Sequence, residues 1–93
     1  MIIGGGDLAK VINDRDDCIF FACGVSNSLC EDEYEYERER RLLKAMAGYN
    51  NDKRLVYFST LSIYDKDTMY TRFKKEQESY IRTYCPDYCI IRL

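Results

Sequence analysis

A chain of 93 residues, 46% of them apolar and 32% charged, has room for one packed domain and too much apolar content for a disordered one. Its net charge of -2, with no basic segment, argues against a nucleic-acid binder. No apolar run approaches the length of a membrane-spanning helix.

The first residues, Met1-Ile2-Ile3, form a short apolar strand that enters Gly4-Gly5-Gly6 directly, with no basic stretch of the kind that opens a secretory leader. A short helix is predicted over Asp7 to Asn13, with Leu8, Val11 and Ile12 on one side. The run Cys18-Ile19-Phe20-Phe21-Ala22-Cys23 is continuous, β-branched and aromatic, which suits a strand buried on both faces. Helical spacing returns from Glu31 to Ala47, with Tyr34, Leu42, Ala45 and Met46 as its apolar stripe, Glu37 placed to pair with Arg41, and Gly48 as its terminator. Leu55-Val56-Tyr57-Phe58 is a third strand. From Thr68 to Tyr84 runs the clearest helix, striped by Met69, Phe73, Gln77, Tyr80, Ile81 and Tyr84; Asp67 or Thr68 caps its start and Pro86 follows its end. Tyr88-Cys89-Ile90-Ile91 closes the series as a fourth strand.

Strands and helices therefore alternate as β-α-β-α-β-α-β, the pattern of an α/β fold: a reduced Rossmann-like parallel sheet of four strands with crossover helices. Parallel crossovers are nearly always right-handed, so four strands added in one direction place their helices on a single sheet face. The strands are apolar on both faces, so the bare side needs a cover: the first helix, if its crossover is unusual, or, as expected here, a homo-oligomer or a partner chain.

Five cysteines, an odd number, form no C-x-x-C pair, and the chain has no histidine. Cys18, Cys23 and Cys89 stand inside apolar runs, where a free thiol behaves as a small hydrophobe. They are read as reduced structural thiols rather than metal ligands, which points to a cytoplasmic protein.

Two segments carry chemistry. Gly4-Gly5-Gly6-Asp7-Leu8-Ala9 matches G-x-G-x-x-[G/A] between a strand and a helix, where glycines permit a tight turn and let a phosphate approach the backbone. An acidic residue ending a second strand, which would hold a ribose, has no counterpart, since Asp16 and Asp17 precede the next strand. The second segment is Ser59-Thr60-Leu61-Ser62-Ile63-Tyr64 at a strand end, followed by Tyr70 and Lys74 on one helix face. An ammonium beside a phenol favours the phenolate, and a shift of about three units toward neutrality requires about 4 kcal/mol. A hydroxyl at Thr60 can orient a carbonyl or alcohol beside that phenol.

In this order the segments resemble the extended short-chain dehydrogenase/reductase superfamily, the NAD-dependent epimerase/dehydratase enzymes of nucleotide sugars. The family's strand end S-[ST]-x-x-[VI]-Y stands here as Ser59-Thr60-Leu61-Ser62-Ile63-Tyr64. Phe21-Ala22-Cys23-Gly24-Val25 is similar to the strand beside the cofactor, Glu78 keeps the spacing of K-x-x-x-E from Lys74, and Tyr88 to Leu93 resembles the following strand.

The resemblance implies catalytic roles for Thr60, Tyr70 and Lys74. It implies NAD or NADP held at Gly4, Gly6, Ala9, Cys23 and Gly24, and a nucleotide sugar as substrate. It also implies a dimer interface on the two longer helices, which the tyrosines at 34, 36, 80 and 84 would suit. The chain departs from the family where two cofactor-side strands are missing, where Thr60 to Tyr70 is short, and where Leu61 and Ser62 replace the acidic pair of sugar 4,6-dehydratases. Residues 1–93 are expected to form one domain without the family's C-terminal substrate-binding region. The alternative is a non-catalytic domain that binds or inhibits another protein, with the acidic run Glu31 to Glu37 as either a solvated helix start or a binding surface.

Overall fold

The structure, a computed structural model, describes residues 1–49 and 52–93. In chain order the elements are β1 (Ile2–Ile3), α1 (Asp7–Val11), β2 (Cys18–Phe21), α2 (Glu33–Tyr49), β3 (Arg54–Ser59), a 3-10 turn (Leu61–Tyr64), α3 (Met69–Tyr84) and β4 (Tyr88–Arg92). The strands form one sheet in the order β1-β2-β3-β4, and every neighbouring pair is parallel. The expected α/β architecture is therefore present, with the 3-10 turn as an unforeseen addition after β3.

Register assigns the two sheet faces. Ile3, Ile19, Phe21, Leu55, Tyr57 and Ile90 point the same way and pack with Leu43 of α2 and with Ile81 and Cys85 at the end of α3. Alternation sends Ile2, Phe20, Val56, Phe58, Cys89 and Ile91 to the opposite face. There Val56 is buried by its neighbours, Phe20 and Phe58 are half-buried, and Cys89 and Ile91 are exposed. The two long helices thus share one face, as the strand order requires. No helix among the described residues is long and apolar enough to cross a membrane.

Local chemistry explains the element ends. Thr68 caps α3 by accepting from Thr71 N, while the Thr71 hydroxyl accepts from Thr68 N, a reciprocal pair at the helix start. Gly48 does not end α2, which continues through Tyr49. The buried stripe of α2 also differs from the expected one. Tyr34 is 77% exposed, whereas Tyr36, Glu39 and Leu43 are at most 1% exposed. Tyr36 stacks on Phe73 at a centroid separation of 4.6 Å and donates to Cys30 O, so it lies inside the core and not on an interface. All five cysteines are free; Cys18 and Cys85 are buried and Cys89 is exposed.

Candidate functional site

A cleft of about 790 Å³ opens across the C-terminal ends of the strands. Its walls come from the turn after β1 (Gly5 to Leu8), the segment ending β2 (Phe21 to Val25), the end of β3 (Phe58 to Thr60) and the first turns of α3. Parallel strands end here with their following segments splayed apart, which is where open α/β sheets leave a crevice.

Six of the eight singled-out residues line this cleft: Gly6, Cys23, Gly24, Thr60, Tyr70 and Lys74. Gly4 and Ala9 do not. Gly4 has a φ of 125°, and a Cβ on it would lie 2.6 Å from Ala22 O, so this glycine is consumed in passing the turn against the end of β2. Ala9 sits half-buried in the short α1, away from the cleft wall. Gly5 and Gly6 face the cleft, and a methyl group on either would meet nothing within 4 Å. The turn therefore presents bare backbone, as a dinucleotide's phosphates require, although Asp7 lies in the same turn. Asp7 and Lys74 are the charged side chains in the wall.

Lys74 does not serve Tyr70 in the manner the spacing suggests. Its ammonium donates to Glu39 Oε1 at 3.1 Å and to the Tyr57 hydroxyl at 3.2 Å. Against the Tyr70 ring it makes a cation–π contact, 5.5 Å from the centroid. Glu39, absent from the sequence-based set, is 0% exposed and occupies the centre of this cluster. Its Oε1 also accepts from Val25 N at 2.6 Å, and its Oε2 accepts from the Tyr57 hydroxyl. One carboxylate thereby ties α2 to the end of β2, to β3 and to α3. Gly24 closes against the same group, since a Cβ there would lie 2.6 Å from Glu39 Oε1 and 3.1 Å from Lys74 Nζ.

The electrostatics follow from this geometry. Burial, and then the Glu39 charge, push the Tyr70 phenol above its ordinary value of 10.0, opposite to the expected activation. Burial draws the Lys74 ammonium down, and the Glu39 carboxylate opposes that fall. Tyr57, enclosed beside Glu39, is driven upward by burial and by that charge, so it remains a protonated donor. Thr60 also has a local duty: its Oγ1 accepts from Ser62 N at 3.1 Å and starts the 3-10 turn, leaving its O–H free to donate. Tyr70 itself is held by Val25, Tyr36 and Phe73 in a second apolar cluster.

Glu78 lies outside the cleft wall and fastens β4 to α3. It accepts from two guanidinium nitrogens of Arg92, Nε and Nη2, and from Arg82 Nη2 at 3.0 Å. Among the described residues, no cluster of three or more His, Cys, Asp or Glu side chains is placed to hold a metal ion.

Glu39 was discernible in the sequence by position. Tyr36, Glu39, Leu43 and Met46 follow the three- and four-residue steps of a helical stripe, and a charged residue at the centre of such a stripe demands a buried partner. Comparison of the chain with protein-family models, with characterised proteins and with solved structures returns no match.

Proposed function

We propose that this chain is an NAD(P)-binding domain of the epimerase/reductase kind, in which a dinucleotide lies across the strand ends and a carbonyl or alcohol substrate meets Thr60 and Tyr70. The observation that carries this reading is the single cleft that gathers the glycine turn, Cys23-Gly24, Thr60, Tyr70 and Lys74 from four separate segments. Gly5 and Gly6 would admit the phosphates, and Cys23-Gly24 at the end of β2 would line the ligand's path. The bound cofactor supplies hydride exchange. The Thr60 hydroxyl orients the substrate oxygen, and Tyr70 gives or takes the proton at that oxygen. A nucleotide sugar is the substrate class that the sequence resemblance suggests.

A second reading, a non-catalytic binding module, is favoured by the commitment of Lys74 to Glu39 and by the raised Tyr70 phenol. Titration with NADH and NADPH, followed by nicotinamide fluorescence and thermal shift, tests the first reading. Saturable binding supports it, and no binding by the folded protein refutes it. With turnover in hand, Tyr70→Phe should abolish activity in an enzyme and leave a binding module's affinity unchanged.

A further inference from the structure

We propose that Glu39 is a positioning residue for Lys74: it keeps the ammonium charged and turned toward β3, so that anything the cleft holds through Lys74 depends on the Glu39 carboxylate. The consequence for a ligand rests on the cofactor reading above, whereas the coupling of the two side chains does not.

The groups facing Lys74 come from every element around it. Glu39 approaches from α2, the Tyr57 hydroxyl from β3, the Tyr70 ring from α3 itself, and Cys23 from the end of β2. Of these, Glu39 is the only carboxylate within hydrogen-bonding distance of Nζ. Tyr57 stays protonated, and burial keeps the Cys23 thiol above its ordinary value, so neither supplies a compensating charge near neutral pH. Lys74 is 2% exposed, too enclosed for water to take over if Glu39 were neutral. An ammonium has three donors, and two are spent on Glu39 and Tyr57, which leaves one for a ligand.

The decisive readout is the titration of Lys74, followed by the NMR shift of its labelled ε-carbon in the full chain. In wild type, Lys74 should titrate below the other lysines. In Glu39→Gln, which keeps the shape and the acceptor oxygen, its midpoint should fall by about one unit or more, the usual worth of an opposite charge at this distance. A Lys74 midpoint unmoved by Glu39→Gln overturns the proposal. Should that variant fail to fold, the wild type decides alone: a through-hydrogen-bond coupling between Lys74 Nζ and the Glu39 carboxyl carbon supports the proposal, and an uncoupled, freely rotating ammonium overturns it.

If wild type binds NADH, the alkaline loss of NADH affinity should begin at lower pH in Glu39→Gln, with about tenfold weaker binding where only wild-type Lys74 is still charged. An unshifted alkaline limb overturns the link to the ligand. Failure of wild type to bind NADH at all defeats the cofactor reading while leaving the Lys74 titration to judge Glu39.

Discussion

Replacing Lys74 by methionine removes a charge from a site where its partner cannot escape to water. Met preserves most of the volume and the contact with the Tyr57 and Tyr70 rings, so the loss is electrostatic. Glu39, 0% exposed, would keep its bonds from Val25 N and Tyr57 but lose the Lys74 ammonium, its one cation partner among the described residues. Breaking a buried pair on one side destabilises by about 3–5 kcal/mol. For a domain whose whole stability is about 5–14 kcal/mol, that is between about a fifth and all of it. At about 4–8 °C per kcal/mol, the midpoint of thermal unfolding should fall by more than about 10 °C. The double variant Glu39→Gln/Lys74→Met removes both charges of this pair and should recover much of the loss. Arg15→Met provides the contrast, since Arg15 and Asp17 pair at 66% and 65% exposure and should be worth under about 1 kcal/mol. Thermal and urea unfolding followed by circular dichroism at neutral pH compare wild type with these variants and with Glu39→Gln alone. A Lys74→Met loss no larger than that of Arg15→Met, or a double variant weaker than both singles, would refute the reasoning.

Other consequences can be checked alongside. Gly4→Ala should destabilise by well over about 1 kcal/mol, because φ at 125° disfavours a side chain and the new Cβ meets Ala22 O at 2.6 Å. Gly5→Ala, with nothing within 4 Å, should leave the melting temperature nearly unchanged while obstructing any ligand of the turn. Thr68→Ala should cost about 1 kcal/mol through loss of the α3 cap, measured by the same melts. For Glu78, burial alone would raise the carboxyl, but Arg92, together with Ser59 and Arg82, outweighs it and holds the group below its ordinary 4.5. A carboxylate depressed in the folded state adds stability that is complete above its unfolded value and lost as the pH falls through its folded one. Glu78→Gln should therefore destabilise the protein at neutral pH and flatten the acid side of its stability profile below about pH 4.5. An acid limb as steep as that of wild type would contradict this.

The fold was largely readable because three of its strands are continuous apolar runs and its longest helices carry periodic stripes. A run such as Cys18 to Phe21 announces a strand buried on both sides, whatever its neighbours do. The missteps lie where apolarity was the wrong guide. Tyr34 has the spacing and apolar ring of an α2 stripe residue, yet Asp32 Oδ1 accepts from Tyr34 N at the helix start and the ring points outward. Glycine ends a helix by adopting a left-handed φ, which Gly48 does not have, and α2 includes Tyr49 after it.

The site was legible as a set of positions and illegible as a set of bonds. Spacing put Tyr70 and Lys74 on one helical face, and topology delivered that face to the ends of β2 and β3, so the cleft could be foreseen. What spacing could not reveal is which neighbour claims the ammonium. That is decided by burial: a charge enclosed to 2% exposure takes the strongest counter-charge within reach, and a neutral phenol cannot compete with a carboxylate. Glu39 therefore outranks Tyr70 as the partner of Lys74, although 35 residues separate it from Lys74 and only four separate Tyr70. A ligand that is to engage Lys74 must use its remaining donor or draw it from Glu39, and in either case the α2 carboxylate enters the energetics of the cleft.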